Sequence, residues 1–317
     1  MNENHFDVII LGGGAAGLTA GIYLSRAKMK TLIVNEGTAG GQMVLTHEIA
    51  NYPGVESIGG YMLGSTMKKQ AQSFGATIFN NSKILDLNLT SDVKSIELAR
   101  KGKFTSDAMI LATGGRSRPL NVPGELKFKG LGISYCATCD GDFFQDKEII
   151  VVGGGNSALE EAVSLTKYAS KVTVVHQFDH FQALEHYVEE AKANEKIDFI
   201  MESEIAEFYG DEKLTGVKIE NMRTHEFTDM NIDGVFVLIG YIPNTEMFEG
   251  IVNLTDRNEI ITTRDMETNI PGVFAAGDCT AKKYRQVTTA VADGTIAGLA
   301  TVEYVTNKKS KKETLSQ

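Results

Sequence analysis

Apolar residues in this chain come in short runs that stop at glycine. Phe6-Asp7-Val8-Ile9-Ile10-Leu11 ends at Gly12-Gly13-Gly14-Ala15-Ala16-Gly17, and Ile149-Ile150-Val151-Val152 ends at Gly153-Gly154-Gly155-Asn156-Ser157-Ala158. Short β-branched runs without polar alternation predict strands buried on both faces of a parallel sheet. Helix formers follow the first turn from Leu18 to Lys28, and Thr31-Leu32-Ile33-Val34 predicts the next strand. Ala108 to Gly115, Val235 to Gly240 and Gly272 to Asp278 repeat the layout of apolar run and small-residue turn. Between these runs, Tyr61 to Phe74 has the spacing of an amphipathic helix, and Ile78 to Arg100 reads as strands with loops. His186 to Asn194 reads as a helix, Ile197 to Ile219 as strands of a small sheet, and Gln286 to Tyr304 as a long packed helix. The basic stretch Asn307 to Lys312 reads as a solvated, mobile tail.

The two glycine turns are copies of one unit. An ungapped offset of 141 residues carries Gly14 to Gly155, Gly17 to Ala158, and Leu32-Ile33-Val34 to Thr173-Val174-Val175. Both match G-x-G-x-x-G/A, in which glycines let the backbone turn tightly and approach a pyrophosphate at a helix N-terminus. Two dinucleotide-binding α/β domains are therefore expected. Glu36, at the end of the second strand, is placed to accept hydrogen bonds from a ribose. The same offset takes Glu36 to Gln177, within His176-Gln177-Phe178-Asp179-His180-Phe181-Gln182, which holds no arginine or lysine. A 2′-phosphate would call for arginines there. The stretch reads as a strand end followed by a helix starting at Asp179.

Composition narrows the class. The 317 residues suffice for two domains, and a formal net charge of −10 argues against nucleic acid as a partner. The first residues lack a signal-peptide layout, and no apolar run approaches the roughly 18–20 residues of a membrane span. Three cysteines, two of them close, suit a reducing cytoplasm. Those two lie in Cys136-Ala137-Thr138-Cys139-Asp140, whose spacing lets the sulfurs join and part, with a carboxyl group at hand to move the proton. Cys279 has no close partner in sequence and reads as a core residue. The six histidines are scattered and no second C-x-x-C exists, so no metal site is expected.

Taken together, the motifs resemble the bacterial-type, low-molecular-weight thioredoxin reductases over nearly the whole chain. The resemblance rests on Gly12 to Gly17, Gly40-Gly41-Gln42, Asn51 with Pro53-Gly54, Cys136 to Gly141, Gly153 to Glu161, Gly277-Asp278, Arg285-Gln286, Ala290, Asp293 and Gly294. It implies two Rossmann-like, doubly wound, three-layer domains, the second inserted into the first. The outer domain, 1–116 and 246–317, would bind FAD; the inserted one, 117–245, would carry the cysteine pair. The implied cofactor-binding set is Gly12, Gly14, Ala15, Ala16, Gly17, Glu36, Gly41, Gln42, Asn51, Thr113, Gly114, Asp278, Arg285, Gln286 and Ala290. Asp278 would hold the ribityl chain, with Arg285 and Gln286 near the flavin ring. Cys139 would face the flavin, Cys136 would attack the thioredoxin disulfide, and Asp140 would handle protons. Family members are homodimers whose inserted domain rotates between two orientations.

One departure concerns the electron donor. The positions of three arginines that grip NADPH in typical members hold Gln177, Phe178 and Gln182. Relatives without these arginines resemble the ferredoxin-linked flavin thioredoxin reductases, so reduced ferredoxin is the expected donor. Lys308 to Lys312, Lys167 and Lys171 are candidate contacts for it. An NADH- or NAD(P)H-dependent thioredoxin reductase and a non-turnover flavin redox sensor stay open as alternatives.

Overall fold

Strands His5–Leu11, Thr31–Val34 and Thr77–Phe79 lie side by side and parallel, with Ile10 paired to Ile33 and Ile33 to Ile78. Gly102–Leu111 pairs parallel with the other edge of His5–Leu11, and Val273–Ala275 pairs parallel with the end of Gly102–Leu111. An antiparallel meander, Ile84–Asn88 and Lys94–Leu98, completes a seven-stranded sheet. Successive residues enter opposite faces, as the uninterrupted apolar run requires. Val8 and Ile10 join a core with Leu18, Leu24 and Phe274, whereas Ile9 and Leu11 join one with Leu32, Met109 and Phe248.

This sheet belongs to the first of two units in the computed structural model, which describes residues 4–46 and 48–315. The chain divides into 1–116 with 242–317, and 117–241. Helix Ala15–Arg26 is buried nearly all round, between the sheet and the long helix Val287–Leu315. A Cβ on Gly294 would lie 2.2 Å from Ala16 O, so only glycine permits the two helices to approach this closely. Cys279 is fully buried, its thiol 3.5 Å from the carbonyls of Leu111 and Ala276, and burial pushes its pKa up.

The 117–241 unit is built on a five-stranded parallel sheet in the order Ile197–Ile200, Lys171–Val175, Glu148–Val152, Gly234–Val237, Ile133–Ser134. Helices Asn156–Leu165 and Glu185–Lys192 share the core of one face with Val151, Val174 and Phe236. A three-stranded antiparallel sheet, Ser203–Gly210, Leu214–Asn221 and Phe227–Asn231, contributes Ile205, Phe208 and Val217 to the core of the other. The two units thus repeat one α/β design. Their helices begin 141 residues apart, at Ala15 and Asn156.

Four expectations are corrected. Ile197–Ile200 belongs to the parallel sheet, because it pairs with Lys171–Val175 rather than with the small sheet. No helix starts at Asp179; helix Glu185–Lys192 is the one expected over His186 to Asn194, and the Asp179 carboxylate faces His180 Nδ1 at 2.6 Å. Residues 307–312 continue the last helix to Leu315. Lys308 reaches Asp92 at 2.9 Å and Asp107 at 3.6 Å, and Lys309 reaches Asp7 at 2.5 Å, so these lysines hold the helix end to the unit. The second crossing between units falls at 241–242 rather than 245–246. Asn244 is held in the first unit by its amide bond to Gly114 O at 3.0 Å and its Nδ2 bond to Thr113 O at 3.0 Å.

Candidate redox and nucleotide sites

Cys136 and Cys139 are joined in a disulfide, with Cα atoms 5.3 Å apart, and both are half-buried. A single helical turn, Ala137–Asp140, carries the pair, and the amides of Cys139 and Asp140 both donate to Cys136 O. The hydroxyl of Ser134 organises the near side. It donates to Asp140 Oδ2 at 2.6 Å and accepts from the Cys136 amide at 3.1 Å. Burial pushes the Asp140 pKa up; the Ser134 bond opposes this and Asp142 adds to it. Glu161, on helix Asn156–Leu165, accepts from the Ala137 amide at 3.0 Å, and burial raises its pKa too. Upstream, Tyr135 donates to the buried carboxylate of Glu125 at 2.6 Å, which also accepts from the amides of Leu120 and Asn121. Cys136, Cys139 and Asp140 are legible in the sequence, whereas the contacts of Ser134, Glu161 and the Glu125–Tyr135 pair are not. A partly buried disulfide with a carboxyl group poised to keep a proton can carry out thiol–disulfide exchange.

In the other unit the first glycine turn forms a cradle that side chains would fill. Gly12 has φ +110°, and a Cβ there would stand 2.1 Å from Ala112 O; one on Gly17 would stand 2.0 Å from Gly12 O. Gly41, at φ +59°, abuts Gly14, with its own Cβ position 2.9 Å from Gly14 Cα. Ala15 and Ala16 open the helix and are buried, and Ala16 also meets Gly277. Asn35, missed in the sequence, accepts from the Gly13 amide at 3.3 Å. Glu36 lies two residues past the strand end, exposed, and accepts from the Ile84 amide at 3.0 Å. Gln42 is exposed on the short 3-10 helix Gly41–Leu45. Asn51 and Gln286 meet through a side-chain hydrogen bond of 3.4 Å.

Polar groups near Gly277 test the fit to FAD. Among the described residues, Asp278 Oδ1 is buried with no hydrogen-bond partner, and burial raises the Asp278 pKa against the pull of Lys282 and Arg285. An orphaned buried acceptor suits a hydroxyl-bearing chain such as a ribityl group. Arg285 is held by Glu259, and Lys282 by Asp293, which also accepts from the Gly277 amide at 3.0 Å. Gly114 is open above its turn at φ +64°, Thr113 is tied to Asn244 O at 2.6 Å, and Ala290 lies against Gly277. The residues fit a flavin dinucleotide.

The second glycine turn keeps the backbone of the first. Gly153 has φ +138° and donates to Val175 O at 3.0 Å, as Gly12 does to Val34 O at 2.8 Å. Its surroundings differ. The buried His176 ring lies against Gly154, where an added Cβ would meet ring atoms at 2.5 Å. That ring stacks on Phe181 at 5.8 Å and meets Phe178 edge-on at 5.4 Å, and burial lowers its pKa. The loop then returns to the turn: the Gln182 amide donates to Gly154 O at 2.9 Å, and Leu184 to Asn156 Oδ1 at 2.8 Å. Gln177, Phe178 and Gln182 are exposed. Residues 117–241 hold 22 acidic and 11 basic side chains, a net −11 that exceeds the whole chain's −10. Of the candidate docking lysines, Lys171 pairs with Asp198 at 2.7 Å and Lys167 is exposed; the Lys312 side chain lies outside those described. No described helix is long and apolar enough to cross a membrane, and no described side chains cluster as metal ligands.

Residues 6–294 match the pyridine nucleotide-disulphide oxidoreductase family. The chain is 45% identical over 310 residues to a thioredoxin reductase of Peptoclostridium acidaminophilum, covering 96% of this chain and 98% of the relative. It is 44% identical over 306 residues to a 34.2 kDa protein in the rubredoxin operon of Clostridium pasteurianum, covering 96% and 99%. The crystal structure of thioredoxin reductase from Streptococcus pyogenes superposes with a TM-score of 0.92 at 39% identity, over 96% of this chain and all of that one. The paired glycine turns, the disulfide loop and this full-length likeness agree: the chain belongs to the low-molecular-weight thioredoxin reductase family of pyridine nucleotide-disulphide oxidoreductases, flavoproteins that carry FAD and a redox-active disulfide.

Proposed function

We propose that this chain is a cytoplasmic, homodimeric enzyme that reduces the disulfide of thioredoxin through Cys136 and Cys139, drawing electrons from reduced ferredoxin rather than from NADPH. The observation that carries the donor assignment is the loop after strand Lys171–Val175. It offers no guanidinium group, the His176 ring at its start packs on Gly154 and stacks on Phe181, and its backbone is bonded to the glycine turn. A phosphate-bearing nucleotide would approach a unit of net −11 with no arginine at 177, 178 or 182 to grip it. The Clostridium pasteurianum relative, named for a rubredoxin operon, makes rubredoxin a second protein donor to test.

FAD, when bound, supplies a ring that takes electrons singly or as hydride and so can join a one-electron carrier to a two-electron disulfide. Gly12, Gly14, Ala15, Ala16 and Gly17 would seat its pyrophosphate at the helix N-terminus, with Glu36 on the adenosine ribose. Gly41, Gln42, Asn51, Thr113, Gly114, Asp278, Arg285, Gln286 and Ala290 would surround the rest. In the disulfide loop, Cys139 is the sulfur that receives the electrons and Cys136 the thiolate that attacks thioredoxin. The mixed disulfide is resolved by Cys139, and Asp140 holds the proton that the departing thioredoxin sulfur takes. Two electrons and two protons convert the thioredoxin disulfide to its dithiol.

The test mixes oxidised holoenzyme anaerobically with NADPH, NADH, reduced ferredoxin and reduced rubredoxin while flavin absorbance is followed. Rapid bleaching by ferredoxin, followed by turnover of thioredoxin, is expected. Bleaching by NADPH or by NADH at micromolar concentration, with none by ferredoxin, would overturn the donor assignment. Bleaching without thioredoxin turnover under every donor would favour a sensor.

A further inference from the structure

Helix Asn156–Leu165 holds the disulfide loop at two points. Glu161 Oε2 accepts from the Ala137 amide at 3.0 Å. Beyond the helix end, Gly141 lies so near that an added Cβ would meet Leu165 Cδ2 at 3.1 Å and the Tyr168 ring at 3.3 Å. Ala137 is buried and opens the turn, so its amide is a first-turn N–H for which the helical pattern supplies no acceptor. A buried amide must find a partner, and here the partner is a side chain 24 residues away. The remaining carboxylate of the loop, Asp140, is engaged by Ser134, and Glu160, the neighbour of Glu161, is exposed. Glu161 touches neither sulfur.

We propose that Glu161 is a positioning residue for the redox pair: by holding the Ala137 amide it fixes the backbone between the two sulfurs and stabilises the disulfide relative to the dithiol. The acceptor oxygen is what matters, not the charge. The inference rests on the cysteine pair alone and is independent of the electron donor.

Glutamine keeps the acceptor and removes the charge; alanine removes both. The holoenzyme and its Glu161→Gln and Glu161→Ala variants are equilibrated with dithiothreitol redox buffers, and the Cys136/Cys139 thiols are trapped and counted by mass. The alanine variant is expected to lose about tenfold in its disulfide formation constant, the order of one buried hydrogen bond. For a two-electron couple that is a rise of about 30 mV in midpoint potential. The glutamine variant is expected to stay within about threefold of the parent, a change smaller than that bond's worth. Glu161→Asp keeps the charge but shortens the reach by one methylene. It should move with the alanine variant, and it replaces that variant should alanine not fold. A glutamine shift as large as the alanine or aspartate shift, or no shift in any variant, overturns the proposal. Because dithiothreitol supplies the electrons, a failed ferredoxin reading leaves this result unaffected.

Discussion

At Asp140 two effects oppose each other. Burial favours the neutral acid, whereas the Ser134 hydroxyl at 2.6 Å favours the carboxylate; burial dominates and the pKa rises. A carboxyl group that keeps its proton above the ordinary range can give it to a departing thiolate. Asp140→Asn is therefore expected to slow thioredoxin reduction by about 10²-fold or more, while dithiothreitol still opens the disulfide. The stability effect has the opposite sign. Below the ordinary carboxylate range both proteins carry a neutral group, and the parent suffers no penalty. As pH rises through the elevated folded pKa the parent must bury a charge and loses stability, which the asparagine variant does not. Urea midpoints at acid and mildly alkaline pH should show the gap opening in favour of asparagine only at the higher pH. The cysteines and Asp140 were legible because their chemistry lies in consecutive positions. Ser134 and Glu161 were not, since what gives each its role is a turn of backbone that brings it to the loop.

Among the elements, the two glycine turns separate what backbone dictates from what side chains decide. Gly12 and Gly153 share a left-handed conformation and an equivalent bond to the next strand, and this was readable from the repeat. The fate of the second turn was only half readable. Missing arginines are visible in sequence, but the packing of His176 and Phe181 and the return of Gln182 to Gly154 O are not. The helix start expected at Asp179 does not form, and the carboxylate that could have capped it meets His180 instead. Installing arginine at 177, 178 and 182 together places three guanidinium groups on exposed positions. If their absence is what excludes the 2′-phosphate, the triple variant should bind 2′,5′-ADP at least about tenfold more tightly by calorimetry, with strong weakening by salt. Unchanged affinity would show that the aromatic packing and loop bonds are sufficient to exclude it.

For the molecule as a whole, charge is divided unequally. The unit 117–241 carries a net −11, whereas 1–116 with 242–317 carries 20 basic and 19 acidic residues. Two α/β domains were legible in the sequence through the repeat, since a βαβ unit carries its own signature. The last helix was legible over Gln286 to Tyr304, but its continuation to Leu315 was not, because the partners that hold Lys308 and Lys309 lie 200 to 300 residues away, at Asp107, Asp92 and Asp7. Distant ion pairs leave no trace in a local pattern, so a row of lysines looked like a solvated tail.

Cys279 gives the folded chain a gauge of its own integrity. Its thiol is sealed in the core and its pKa is pushed up, so neither access nor ionisation favours a reagent. After reduction, a thiol reagent applied to the native chain should therefore count two groups, and three once the chain is unfolded. The excess over two reports the fraction of molecules whose first unit has opened. It needs no flavin signal and no substrate, and it separates a preparation that is inactive because it is unfolded from one that is folded and merely lacks its donor.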